Sequence, residues 1–258
     1  MDQLAKAFIV ASYTFRDLLR SKILWNAALV GFGLALVSFI AGEFTFGVPA
    51  RVATDLGLAA LSLSGYGLSF FAAISLIRQE EESRTIYLII SRPIARSVFL
   101  LGKLAGVAAF LALNYALILA FILGALAIFG SSLGPTGWAA VALSFVELLL
   151  LLVLLVLVSL VANRALTIIA GLVILVGGHA LGETRQLSFV KNLPWLDKTV
   201  AIFDVVFPSL HRLNLKDHVL YEVSVPGSAV AAALAYALCY GLAALCLAGY
   251  LIERKDFD

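Results

Sequence analysis

The sequence is nearly devoid of sulfur-containing residues, and this removes several kinds of chemistry. Met1 is the only methionine, so no thioether ladder that carries copper(I) through a membrane can be built. Cys239 and Cys246 are the only cysteines, and they stand seven residues apart in one apolar run, without a CxxC pair or a disulfide framework. We expect them to pack as small residues against another helix, because alanine and glycine surround both.

Charged residues are also scarce. They make up 13% of the chain, whereas hydrophobic residues make up 62% and the mean hydropathy is +1.05. A soluble domain is about half apolar and about a quarter charged. The net charge of +2 is too small to indicate a nucleic-acid partner. The composition predicts an integral membrane protein with several spans.

The common catalytic and nucleotide-binding motifs are missing as well. The one Gly-Lys pair, Gly102-Lys103, is followed by Leu104 and has no glycine five residues upstream, so it fails the phosphate-loop pattern. HExxH, GxSxG and paired Cys/His metal spacings do not occur. His211 and His218 are seven residues apart and are expected to be surface residues. We therefore expect no catalytic residues, metal site or cofactor in this chain.

Six apolar stretches are each near the roughly 20 residues that a membrane helix needs. They cover residues 25–41, 58–77, 104–129, 138–161, 166–181 and 228–252. The fifth is short and contains Gly171, Gly177 and Gly178, so we expect its end to be broken or re-entrant. The prediction is an all-α integral membrane protein with six transmembrane helices in a single transmembrane domain, residues 1–258.

Residues 1–24 precede the first span and have an amphipathic pattern. Leucine and phenylalanine recur at helical spacings, and basic residues fall mostly between them. This pattern is typical of a helix that lies flat on a membrane, with its basic residues near the lipid headgroups. A helix that simply extends the first span into the cytoplasm would fit equally well.

Lysine and arginine predict the topology. With the N-terminus inside, the cytoplasmic side holds Lys6, Arg16, Arg20, Lys22, Arg78, Arg84, Arg92, Arg96, Lys103, Arg164, Arg254 and Lys255. The outside holds Arg51, Arg185, Lys191, Lys198, Arg212 and Lys216, and five of these six fall in one long segment, where the rule is weak. Both termini are therefore expected in the cytoplasm.

The long external segment, residues 182–227, is too apolar for a disordered linker. We expect a pair of short buried or lipid-dipping helices, with breaks at Pro194 and Pro208. They would form a small cap packed on the spans.

The charged segment 78–103, RQEEESRTIYLIISRPIARSVFLLGK, separates the second and third spans. It is too polar to cross a bilayer and too amphipathic for a slack loop. Pro93 has no N–H group and disfavours helix at Arg92, so we expect one or two surface helices with a bend there. The alternative is an ordinary basic loop that only fixes the topology.

Glu147 interrupts the fourth span, in SFVELLLLLVLLVL. A carboxylate at that depth costs several kcal/mol unless it is protonated, paired or facing water. Glu147 could act in translocation, or it could be a structural carboxylic acid bonded to Asn114 or Tyr236. A third alternative is an interfacial residue, because Glu147 is nearer the external end of its span.

The charged segment and its surroundings resemble the permease subunits of ABC-2 type exporters. The resemblance rests on Glu81, Glu82, Arg84, Thr85, Ser91, Pro93, Arg96, Gly102 and Lys103. FPSLHRLNLKDHV at 207–219 looks like the family's segment before the last span, and ERKDF at 253–257 looks like its charged ending. Within the family, the layout is most similar to six-span permeases grouped with multicopper-enzyme and nitrous-oxide-reductase maturation, but we do not carry copper over.

The resemblance implies an exporter in a bacterial plasma membrane. Two permease chains, identical or different, would form the transmembrane unit, and two copies of a separate ATPase subunit would hold ATP and Mg²⁺. Segment 78–103 would contain the coupling helix, next to the N-terminal helix. The residues assigned to the coupling contact with the ATPase are Glu81, Glu82, Arg84, Thr85, Pro93, Arg96 and Lys103. Phe207, Pro208 and Asn214 would belong to short external helices that gate or shield the exit.

Three rival functions remain open. A secondary transporter or channel would use Glu147 as a proton or ion site, although the sequence has no internal repeat. An intramembrane enzyme would use Glu147 or His179 as acid or base, and we expect no second catalytic group at matching depth. An assembly factor would transmit force from the ATPase to an external partner through the same coupling segment.

Overall fold

The structure is a computed structural model that describes residues 3–45, 48–82, 95–186, 195, 203 and 207–254. All regular secondary structure in these residues is helical. The α-helices are α1 (Gln3–Arg20), α2 (Lys22–Glu43), α3 (Pro49–Glu82), α4 (Arg96–Ile128), α5 (Pro135–Val161), α6 (Arg164–Gln186), α7 (Lys216–Leu220) and α8 (Gly227–Arg254). A 3₁₀ turn covers Leu210–Leu213.

Four of these helices are long and apolar enough to cross a membrane. They are Pro49–Leu76 within α3, then α4, α5 and α8, and they coincide with the second, third, fourth and sixth predicted spans. The first and fifth predicted spans fall in α2 and α6, whose apolar parts, Gly31–Glu43 and Arg164–Ala180, are shorter. The chain is thus an all-α, multi-pass membrane protein by helix length and composition.

Helices α3 and α5 form the centre of the bundle. In each of them 61% of the most apolar window is buried, compared with 39% in α4 and 17% in α8. Leucine fills the middle of this core, with Leu68 on α3 and Leu151 and Leu155 on α5 fully buried. Helix α8 instead leaves large apolar side chains such as Leu238 and Leu242 exposed, as expected for a face that contacts lipid.

Helix α1 packs along the first turns of α4. Gly102 and Gly106 make this possible, because a Cβ atom at Gly106 would lie 2.6 Å from the carbonyl oxygen of Ala11. Phe15, Leu18 and Leu19 of α1 pack against the core, whereas Leu4, Phe8, Ile9 and Tyr13 remain exposed. Helix α1 therefore has apolar side chains on two surfaces. One surface packs on the rest of the protein, and the other is exposed.

The bundle has two ends that differ in structure. The base end is where α1 lies beside the start of α4. The cap end carries the cap, defined here as residues 207–220. Helices α3 and α4 have 34 and 33 residues. At 1.5 Å per residue each is about 50 Å long, well beyond the roughly 30 Å of a bilayer's hydrocarbon core. Both extend past the boundaries that the sequence predicted.

The cap packs on α6 through glycine. A Cβ at Gly178 would lie 2.6 Å from the carbonyl oxygen of Pro208 and 2.8 Å from Cγ of Leu210. Helix α6 is continuous from Arg164 to Gln186, so the break expected at Gly177 and Gly178 is wrong. At both glycines the cap occupies the space that a larger side chain would fill, through the ring of Phe207 at Gly177 and through Pro208 and Leu210 at Gly178.

Candidate functional site

Glu147 lies near the middle of α5 and has no exposed surface. Its neighbours along the helix are leucine, valine and phenylalanine, so α5 itself supplies no charged partner. Glu147 is therefore surrounded by protein, and the interfacial role considered from the sequence stays a prediction. A carboxyl group buried here must find its partners on other helices.

Two other helices supply partners for Oε1 of Glu147. The hydroxyl of Tyr66 on α3 donates a hydrogen bond to it over 2.6 Å. Nε2 of His179 on α6 lies 3.2 Å from the same oxygen. The rings of Tyr66 and His179 meet edge to face, with centroids 6.4 Å apart. We call these three residues the buried triad.

The hydrogen bonds of His179 determine where its proton lies. Nδ1 is 2.9 Å from the carbonyl oxygen of Leu175. A carbonyl only accepts, so Nδ1 carries a hydrogen. Nε2 and Oε1 of Glu147 then need one further proton between them, either as imidazolium and carboxylate or as imidazole and carboxylic acid. In both forms the pair is neutral, which suits a site without charge compensation from solvent.

The second oxygen of Glu147 is unsatisfied. Oε2 is buried and has no hydrogen-bond partner among the described residues. The partners suggested by the sequence bond elsewhere: Asn114 pairs with Ser64 over 3.3 Å, and the hydroxyl of Tyr236 accepts from the backbone N–H of Ser209. Buried polar atoms without partners are rare in proteins, so Oε2 marks a place where a further donor or acceptor can bind.

A shallow open pocket leads from the triad toward the cap. It is lined by Tyr66, Leu175, Val176, His179, Ala180, Asn214 and Lys216. Burial lowers the pKa of Lys216, and the negative charges of Glu147 and Asp55 oppose this shift. Lys216 also lines a neighbouring polar pocket with Arg51, Asp55 and Glu222. Lys216 is thus a cation of the cap that lines both pockets and interacts electrostatically with the buried carboxyl group.

The contact between Glu147 and His179 contradicts one expectation about acid–base chemistry. The sequence predicted no second acid–base group at the depth of Glu147, and this is wrong, because His179 lies directly against it. His179 falls near the end of the short fifth apolar stretch and Tyr66 within the second, so both are polar-tipped residues inside predicted spans. That shared feature is the signal by which a sequence search could have found them.

Only part of the predicted coupling segment lies within the described residues. Glu81 and Glu82 end α3, and Arg96 and Lys103 belong to the first turns of α4. Arg84, Thr85 and Pro93 lie outside the described residues, as does the expected bend at Pro93.

The two basic residues of α4 make different contacts. Nη1 of Arg96 donates to the carbonyl oxygen of Glu253 over 3.5 Å, joining α4 to the end of α8. Lys103 is buried, and its ammonium donates to the carbonyl oxygen of Leu76 over 3.0 Å. Lys103 therefore ties α4 to α3, which places it as a support of the joint between these helices.

The predicted gate residues belong to the cap and hold it in place. Phe207 packs against Gly177, and Pro208 is buried beside Gly178. Oδ1 of Asn214 accepts from the backbone N–H of Lys216 at the start of α7. Pro194, the other expected break, lies outside the described residues.

Comparison with known proteins gives no further assignment. No protein-family model matches the chain, and no curated protein matches it. Within the described part of the chain, no group of three or more histidine, cysteine, aspartate or glutamate side chains could hold a metal ion. The triad, the cap and the base end are therefore the features of the molecule from which a function can be inferred.

Proposed function

We propose that the chain is the transmembrane permease subunit of an ABC-2 type exporter. A separate ATPase subunit, in two copies, would hydrolyse ATP beneath it, and a second permease chain would complete the transmembrane unit. Helices α2 and α6 would act as the first and fifth of six spans, with both termini in the cytoplasm of a bacterial cell. The work would be movement of a substrate through the membrane or force on an external partner.

One observation carries this proposal: the two described ends of the segment assigned to coupling belong to two long helices of the bundle, α3 and α4. Residues 78–82 are the last turn of α3, and residues 96–103 are the first turns of α4. Lys103 joins these two helices through the Leu76 carbonyl. A push at the charged segment would therefore reach the far end of the bundle along helices that cannot compress, as a rigid-body transmission requires.

The position of α1 supports the same proposal. It contacts Gly102 and Gly106 near the end of segment 78–103, and this contact supports the N-terminal helix that the family resemblance implies beside the coupling segment. Its exposed apolar side chains Leu4, Phe8 and Tyr13 would enter the lipid surface, with Lys6 and Arg16 near the headgroups. Such a helix would keep the joint at a fixed depth.

The proposal is tested by reversing the charge of Arg84 and Arg96 together. Arg84→Glu with Arg96→Glu should leave the chain folded in the membrane but abolish stimulation of the ATPase in reconstituted vesicles. Arg164→Glu, a charge reversal at the start of α6, is the matched control and should keep the stimulation. Unchanged ATPase binding and stimulation in the double variant would refute the coupling assignment.

The buried triad favours a second candidate, a secondary transporter that uses Glu147. The unsatisfied Oε2 atom and the adjacent open pocket are the observations behind it. This candidate predicts transport that follows a proton gradient in vesicles without any ATPase and that Glu147→Gln abolishes. Transport that requires the ATPase would favour the exporter.

A further inference from the structure

We propose that Tyr66, Glu147 and His179 form a proton-binding site that opens toward the cap, and that its proton holds the cap on α6. This inference goes beyond the exporter proposal and does not depend on it. It would hold for any function of the bundle, because it follows from contacts within this chain.

The first step is that the contact between His179 and Glu147 exists only while a proton lies between them. Nδ1 of His179 is committed to the Leu175 carbonyl. Without a second proton, the lone pair of Nε2 and the lone pairs of Oε1 would face each other over 3.2 Å. A carboxylate would then remain fully buried with the hydroxyl of Tyr66 as its donor, which is costly in a membrane interior. Loss of the proton therefore favours separation of α6 from α5.

The second step is that the proton has an aqueous route. Tyr66 and His179 both line the open pocket, together with Asn214 and Lys216 of the cap. His179 itself is half-buried, so the triad is not sealed in the protein core. A proton can reach Nε2 from the cap end without crossing the leucine-rich middle of the bundle.

The third step connects the proton to the cap. Gly178 and His179 are adjacent on α6. Gly178 contacts the cap, whereas His179 contacts Glu147 on α5. The carbonyl oxygen of Gly178 lies 3.3 Å from Nδ1 of His211, and Pro208 packs against the missing Cβ of Gly178. A movement of α6 that takes His179 away from Glu147 also moves Gly178, on which the cap packs, because the two residues are adjacent in one helix.

Other titratable groups lie around Glu147, but the direction of the pH dependence follows from the proton that Glu147 and His179 share. They are Tyr66 from α3, Tyr115 from α4, His179 from α6 and Lys216 from α7, with Asp55 of α3 near Lys216. Tyr115 donates its hydroxyl to the Val141 carbonyl and so does not supply the shared proton. The cap therefore packs on α6 at lower pH. This contact is lost as the pH rises and the shared proton dissociates.

The test is a distance between the cap and the end of α4, measured by pulsed electron paramagnetic resonance. Spin labels are attached at Asp217→Cys and Ile128→Cys, two exposed positions, in a chain with Cys239→Ala and Cys246→Ala. The purified chain in lipid nanodiscs is measured over a pH series, without ATPase or substrate. We expect one narrow distance at acid pH that gives way to a longer, broader population at alkaline pH.

Three variants show whether the triad is responsible. Glu147→Gln should keep the narrow distance at every pH, because an amide can donate to Nε2 as the protonated acid does. His179→Ala should give the broad population at every pH. His218→Gln, which removes an exposed cap histidine, should behave as wild type.

Two outcomes would overturn the inference. One is a wild-type distance that does not change with pH. The other is a Glu147→Gln chain that retains the wild-type pH dependence. Should His179→Ala fail to fold, Glu147→Gln still decides, because infrared difference spectra between acid and alkaline pH must then lose the carboxyl signal that wild type shows.

Discussion

At the scale of single residues, the chain concentrates its polar chemistry on one buried carboxyl group. Oε1 of Glu147 contacts the hydroxyl of Tyr66 and Nε2 of His179, whereas Oε2 has no hydrogen-bond partner among the described residues. Removing one partner of a buried pair typically costs about 3–5 kcal/mol, because the other group stays buried without compensation. Glu147 and His179 are therefore expected to be sensitive to replacement whichever function the chain has.

Tyr66→Phe removes one hydroxyl and leaves the ring in place. Hydrogen bonds between membrane helices average about 0.6 kcal/mol and reach about 1.7 kcal/mol, and the 2.6 Å bond from Tyr66 to Glu147 should fall in the upper part of that range. We expect a lower thermal unfolding temperature in detergent. Tyr221→Phe is the control, since Tyr221 is 69% exposed, and it should change little. Equal stability of the two variants would contradict the assigned bond.

The sequence revealed half of the triad's logic. Glu147 is visible because a carboxylate in a leucine run has no ordinary explanation. Its contacts with Tyr66 and His179 could not be predicted, because Tyr66 is 81 residues away and the contacts depend on how three helices rotate about their axes. Tyr66 and His179 are marked only as polar-tipped residues within predicted spans, and neutral residues of this kind violate no hydropathy rule.

At the scale of elements, glycine decides which helices approach closely. Gly102 and Gly106 admit α1 to the surface of α4, and Gly178 admits the cap to α6. Small residues play this part in membrane proteins because they allow two backbones to approach within van der Waals contact. The helices themselves could be predicted from the length of the apolar stretches. The close contacts at these glycines could not, because a glycine in a helical sequence can equally indicate a break.

Gly106→Ala tests the seat of α1. A Cβ here would lie 2.6 Å from the Ala11 carbonyl oxygen and 2.7 Å from Cβ of Thr14, so α1 must shift. Overpacking of this kind costs about 1–3 kcal/mol. We expect faster amide hydrogen exchange in residues 3–20.

Gly124→Ala provides the control in the same helix. Nothing lies within 4 Å of a Cβ at Gly124, so this change should be neutral or stabilise α4 by up to about 1 kcal/mol. Slow exchange of α1 in both variants would mean that α1 does not depend on this seat.

At the scale of the whole molecule, the bundle joins two different ends. The base end brings α1, the start of α4 and the end of α8 together, and the cap end carries the triad's pocket. Helices α3 and α4 run through the bundle from one end to the other. This arrangement suits a subunit that receives force at one face and acts at the other.

The fold class and four of the spans could be predicted from hydropathy, because length and apolar content are properties of single segments. The ends of α3 and α4 could not, because helices extend past the lipid wherever neighbouring helices continue to support them. The order of features, from the surface helix to the last span, led to the exporter proposal, and no single residue identifies it.

The exporter proposal is tested most directly by what binds the chain. The tagged protein is purified from its native membrane in mild detergent, and the complex is weighed by native mass spectrometry. We predict two permease chains with two copies of a phosphate-loop ATPase, and loss of the ATPase when Arg84 and Arg96 are both reversed in charge. A chain that purifies without any ATPase, across several detergents, would contradict the account.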